Sequence, residues 1–174
     1  VHISLSEIQE IFFGGANDTG LWHILYNFRL PKAITALLTG SALAVAGLYM
    51  QTLFQNPLAG PYVLGISSGA SLGVALLLMG GAFLPTAIVA SAWAQVGAAI
   101  VGSLFVLLLV LGVSSRVNDT VSLLIVGMMF GSIAGSVVNV LQSASNAESL
   151  KLFVMWSMGS LSSVTWQFLN VMAP

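Results

Sequence analysis

The chain has 174 residues, 57% of them hydrophobic and 5% charged, with a formal net charge of −1 and a mean hydropathy of +1.01. Water-soluble domains carry about a quarter charged residues, so this composition excludes an ordinary globular enzyme or adaptor and makes lipid the solvent. Four Lys and Arg in all build no basic patch for a nucleic acid, and the lack of cysteine removes disulfide, thiolate and iron–sulfur chemistry.

The few charges are also clustered. No Asp, Glu, Lys or Arg lies between Lys32 and Arg116, between Asp119 and Glu148, or after Lys151. A spanning helix needs about 20 apolar residues. The first gap therefore has room for three passes with short turns, and residues 120–142 supply a fourth. The pattern predicts an all-α, polytopic helical membrane protein.

Residues 1–28 are the polar part. Leu5, Ile8, Ile11 and Phe12 recur at helical spacing behind Ser4 or Ser6 as N-cap, which predicts a short amphipathic helix. A loop rich in Gly, Asn and Asp follows over residues 14–20. Trp22 and Tyr26, one turn apart, mark a headgroup-level approach to the membrane.

Pro31 suits the first turn of a helix, predicted over about residues 33–54. Gly40, Ala44 and Gly47 share one face of it and would let a neighbouring backbone come close. Gln51 and Gln55 at its far end need water or polar partners. Pro57 and Pro61 bias Asn56 and Gly60 toward extended geometry, which makes residues 55–61 a turn. The next helix, about residues 63–80, carries Gly65, Gly69 and Gly73 at GxxxG spacing, with Ser67 and Ser68 at its opening.

A turn at residues 80–85 leads to a helix over about residues 86–113, then a polar stretch around Arg116. In the helix over residues 120–142, Gly127, Gly131 and Gly135 repeat the glycine spacing. Such triplets serve either tight helix packing or a smooth cavity wall, and spacing alone favours packing. A short interfacial helix is predicted over residues 148–160, and a further helix begins near residue 164 and continues to 174. Trp156 and Trp166 anchor the short helix at the interface. Arg116 marks one face of the membrane, but Arg29 and Lys32 fall on the opposite face if spans alternate, so the charge bias leaves the orientation open.

Catalytic and metal chemistry find no support. Gly65, Ser67 and Gly69 match G-x-S-x-G formally, but that elbow needs a preceding strand, a His and an acid. The two histidines, His2 and His23, are far apart in the polar N-terminal region, and no His/Asp/Glu cluster has metal-ligand spacing. No catalytic residue, metal or cofactor is assigned. Proton-coupled carriers keep ionisable groups within the membrane; these spans carry none. Any transport would be powered from outside them, or by sodium held on backbone carbonyls of broken helices. An ion-coupled secondary transporter and a structural membrane subunit without a pathway stay open on these grounds.

The ordered strings R-L-P-K, G-S-A-L-A-V-A-G-L-Y-M-Q, N-P-L-A-G-P, L-G-I-S-S-G-A-S-L-G, L-L-I-V-G-M-M-F-G and M-W-S-M-G-S-L resemble the permease subunit of type II ABC importers, the FecCD/vitamin B12 permease-like family. The resemblance covers essentially the whole chain. It implies part of a ten-helix bundle, from the second helix to the start of the sixth, with residues 1–28 as an external loop and residues 29–174 as the transmembrane part. It also implies a bacterial inner-membrane importer of iron–siderophore, haem or cobalamin by alternating access. The implied partners are a second permease copy, cytoplasmic ATPase subunits that hydrolyse the ATP, and a periplasmic or lipid-tethered substrate-binding protein.

Site residues follow from the same resemblance. Arg29 and Lys32 would face outward and pair with acidic groups of the binding protein, although the family more often has Arg at the second place, and Lys loses the bidentate fork. Asn56, Leu58, Thr120 and Val121 match cytoplasmic gate positions, with a polar residue more usual where Val121 stands. Gly127, Gly131 and Gly135 fall on the helix similar to the one that lines the pathway, which shifts them toward a cavity wall; Gly65, Ser67, Ser68 and Gly69 are lining or packing positions.

Overall fold

The structure, a computed structural model, describes residues 9, 20–80, 85, 89, 91–117, 119–161, 164–166 and 169. Leu5, Ile8, Ile11 and Phe12 of the predicted amphipathic helix lie outside these residues, as do His2, most of the turn after Gly80, and most of the final predicted helix. All regular structure among the described residues is helical. The elements are α1 (Gly20–Ile24), a π turn (Leu25–Arg29), α2 (Leu30–Phe54), α3 (Ile66–Gly80), α4 (Ala92–Ser114), α5 (Thr120–Ala144) and α6 (Ala147–Met158).

Among the described residues, three helical segments are long and apolar enough to cross a membrane: Gly20–Phe54, Ala92–Ser114 and Thr120–Ala144. Helix α3, with 15 residues, extends about 22 Å at 1.5 Å per residue and falls short of a bilayer core by itself. One expectation needs adjusting. The residues from Gly20 on are already helical, well before residue 33, because a π turn carries the helix through Arg29 and Leu30 into Pro31. The approach that Trp22 and Tyr26 suggested is itself part of that helix.

The chain divides into two compact units, residues 1–44 with 160–174, and residues 45–159. In the first, Leu25, Pro31 and Thr35 are buried, and the Thr35 hydroxyl donates to the Pro31 carbonyl at 2.8 Å. Trp22 stacks on Tyr26 at 5.5 Å between centroids, and Trp166 lies tilted against Tyr26 at 5.2 Å.

The second unit is built on small residues. In α4 the buried positions are Gly102, Val106 and Val110; in α5 they are Gly127, Gly131, Ala134 and Val138. The first set recurs every four residues and the second at spacings of three and four, so each lies on one helix face. The bulky side chains point the other way: Leu108 is 65% exposed and Met129 60%. This inversion of a soluble core is what lipid requires, because tails solvate Leu as well as a protein interior does, and association rests on close van der Waals packing instead.

Two clusters hold this unit together. Phe54, Ala59, Leu64, Val106 and Val110 form one, with Leu123 and Leu124 packed against it. Val74, Ala75, Leu78, Val138 and Phe153 form the other, with Trp156 against it. Hydroxyls within the helices bond to their own preceding turns: Ser132 to the Met128 carbonyl at 2.8 Å and Ser136 to the Ser132 carbonyl at 2.9 Å. They thereby need no partner from the lipid side.

Candidate functional site

The turn between α2 and α3 is held by a run of local hydrogen bonds. Gln55 has φ 47°. Its amide donates to the Thr52 carbonyl and the Asn56 amide donates to the Gln51 carbonyl, the paired bonds of a Schellman C-cap with Gln55 where glycine is usual. The Asn56 side-chain oxygen then accepts from the Leu58 amide at 2.9 Å, and the Asn56 carbonyl accepts from the Ala59 amide at 3.0 Å. Pro57 and Pro61 have no amide to satisfy. The result is a stiff loop that presents Leu58, 89% exposed, while Ala59 is 3% exposed.

The loop's second half rests on α5. A Cβ added to Gly127 would meet Leu64 Cα at 2.8 Å, and one added to Gly65 would meet the Gly127 carbonyl oxygen at 2.6 Å and the Gly131 nitrogen at 2.8 Å. Gly65 has φ 72°, in the left-handed region that L side chains avoid. Ser68 sits beside the same contact, its Oγ 3.4 Å from the Cβ position of Gly131, whereas Ser67 is exposed.

The other face of α3 meets α4. Gly69 lies against the Gly102 carbonyl, 2.6 Å from its own Cβ position, and Gly73 lies against the Ala98 carbonyl. Ala98 and Gly102 went unremarked in the sequence, although four residues apart they are themselves a small-xxx-small pair. Gly135 differs from the rest: nothing stands within 4 Å of its Cβ position.

The loop that carries Asn56 and Leu58 packs near the first turns of α5, the helix that Thr120 and Val121 open. Ala59 and Leu64 share a cluster with Leu123 and Leu124, one turn beyond the start of α5. Val121 is 62% exposed. Asp119 caps α5, accepting from the Ser122 amide at 3.1 Å and the Ser122 hydroxyl at 3.2 Å. The Ser122 amide first, and then that of Val121, hold the Asp119 carboxyl below the ordinary aspartate range. Further along, Ile125, Met128, Met129, Ser132 and Ile133 line an open apolar depression on the exposed face of α5.

Arg29 and Lys32 belong to the first unit. Arg29 ends the π turn and is exposed; Lys32, in the first turn of α2, is half-buried. Among the described residues no group of three His, Asp or Glu comes together to hold a metal ion.

Helices α3, α4 and α5 carry no charged residue and pack through glycine backbones, the construction of a polytopic helical membrane protein. The profile of the FecCD transport family matches residues 1–174, and the chain belongs to that family. It is 38% identical over 170 residues to the hemin transport system permease protein HmuU of Yersinia pestis, covering 97% of this chain and 50% of the relative. It is 36% identical over 157 residues to the vitamin B12 import system permease protein BtuC of Citrobacter koseri, covering 90% of this chain and 45% of the relative. A solved metal-chelate type ABC transporter in an inward-facing conformation matches with TM-score 0.73 at 28% identity, over 98% of this chain and 48% of that one. The chain thus spans about half the length of the relatives it matches.

Proposed function

We propose that this chain is the pathway-forming part of an ATP-driven importer permease for a bulky metal chelate of the haem, cobalamin or iron–siderophore class. The observation that carries the reading is the match of nearly the whole chain to permeases named for hemin and for vitamin B12, together with the fold shared with a metal-chelate transporter. The complete transporter would pair two permease copies in the bacterial inner membrane with two cytoplasmic ATPases and an external binding protein. Alternating access would be driven by ATP hydrolysis in the partner, since no Asp, Glu, Lys or Arg lies between Lys32 and Arg116 or between Asp119 and Glu148 to form the relay a proton-coupled carrier needs.

Within that frame, Asn56 and Leu58 on the stiff loop and Thr120 and Val121 at the start of α5 form the cytoplasmic gate. Arg29 and Lys32 dock the binding protein. Gly135 and the exposed face of α5 line the pathway, a nearly neutral wall along which a large chelate slides without a charge to hold it. Gly65, Gly69, Gly127 and Gly131, with Ser68 beside them, fix the helices behind that wall.

The test uses the complete permease in proteoliposomes with its ATPase and binding protein, comparing wild type with the double variant Arg29→Glu, Lys32→Glu. Stimulation of ATP hydrolysis by the binding protein is expected to collapse. Unchanged stimulation would reduce the two residues to membrane-interface anchors, and an absence of any associating ATPase would remove the importer reading itself.

A further inference from the structure

The π turn before α2 has a cause and a consequence. The Leu30 amide donates to the Leu25 carbonyl, five residues back, so it is not given to the Tyr26 carbonyl as an α-helix would require. The next amide that could reach Tyr26 in this wider frame is that of residue 31, and Pro31 has none. The Tyr26 carbonyl is therefore left without either backbone donor. Trp166 fills the gap: its indole Nε1 donates to the Tyr26 oxygen at 3.0 Å across 140 positions of sequence, while its ring packs on the Tyr26 ring.

A π turn adds a residue to one helical turn and so changes the direction in which every later side chain leaves the axis. Arg29 is the last residue of this turn and Lys32 follows three positions on, one helical turn away. We infer that Trp166 is a positioning residue for binding-protein docking: by holding the Tyr26 carbonyl it maintains the turn that aims Arg29 and Lys32. The inference rests on the docking role proposed for those two residues.

The experiment uses the complete transporter in nanodiscs, with and without Trp166→Phe, which keeps a ring against Tyr26 and removes the donor. Two quantities are read: the mobility of a nitroxide attached through Phe28→Cys, a site 51% exposed inside the turn, and the affinity for the binding protein as a function of salt. Trp166→Phe should loosen the label and weaken binding about threefold to tenfold, the range one hydrogen bond supplies, with a shallower salt dependence. In a Pro31→Ala background, where a backbone amide can again serve the Tyr26 carbonyl, Trp166→Phe should change neither quantity further.

An equally ordered label in Trp166→Phe overturns the inference. So does unchanged affinity in that variant when Arg29→Ala and Lys32→Ala do weaken binding. If the label loosens but none of these substitutions affects affinity, the docking reading fails while Trp166 still holds the turn.

Discussion

Gly65 and Gly131 meet backbone to backbone: a Cβ on Gly131 would lie 3.0 Å from Gly65 Cα, and one on Gly65 2.8 Å from the Gly131 nitrogen. Neither neighbour is the end of a flexible side chain, so neither can swing aside. Gly131→Ala should therefore force the loop and α5 apart, at a cost of about 1–3 kcal/mol, the usual range for overpacking. Gly135→Ala, one turn further on and facing open space, should be neutral or stabilising by about 0.5–1 kcal/mol, because alanine suits a helix interior better than glycine. Thermal unfolding of the complete permease in detergent separates the two. Equal melting temperatures would show that the close approach at Gly131 carries no stability.

The C-cap of α2 offers the opposite experiment. Gln55 is the described non-glycine residue with positive φ, and its exposed side chain is not needed by the two capping bonds, which are both made by backbone. Left-handed geometry costs an L residue about 1–2 kcal/mol. Gln55→Gly should raise stability by about 1 kcal/mol, and Gln55→Val should lower it by at least as much, since a β-branched side chain tolerates this φ least. A rise for the valine variant in the same melting assay would contradict the assigned cap.

These two sites also mark how far the sequence could be read. The proline turn and the apolar runs were legible because lipid tolerates so little charge: the gaps between Lys32, Arg116, Asp119 and Glu148 enclose α3, α4 and α5, whereas the first span, Gly20–Phe54, runs through Arg29 and Lys32. Gly65, Gly127 and Gly131 were legible as a spacing, but Gly135 has the same spacing and no neighbour, because periodicity reports a face and not how far the opposing helix extends. Gln55 carried no signal, glycine being the usual residue there. The start of α1 was hidden by the Gly- and Asn-rich stretch before it. The Trp166 bond to Tyr26 joins residues too distant in sequence for any local pattern to pair.

If the stiff loop is a gate, its stiffness should matter to function more than to folding. The Asn56 side chain closes the turn onto the Leu58 amide, a hydrogen bond worth about 0.5–1.5 kcal/mol. Asn56→Ala should free the Leu58 tip and raise nucleotide-independent leakage of cargo from loaded proteoliposomes several-fold, with a small change in melting temperature. Asn56→Asp keeps the acceptor and should leak like wild type. Leakage unchanged in Asn56→Ala would take the gating role away from this turn.

Asp119 tests the same end of the molecule through pH. Its carboxylate accepts from the first free amides of α5, where the helix dipole also favours negative charge, and its pKa is lowered accordingly. The unfolded chain binds its proton at about pH 3.9, above the folded value. The cap's contribution is therefore complete above about pH 4 and is lost as pH falls through the folded pKa. Asp119→Asn retains an oxygen acceptor but lacks the charge and has no proton to gain, so its melting temperature should lie slightly below wild type near neutrality and rise above it once pH falls through the folded pKa. Asp119→Ala removes the acceptor and should melt lower than either variant near neutrality, losing that disadvantage to wild type only under acid. The full exposure of the carboxyl keeps these shifts small, since water screens the interaction. The crossing of the Asp and Asn curves, rather than its size, is the discriminating result: parallel curves from pH 7 to pH 3 would mean that Asp119 does not cap the helix through its charge.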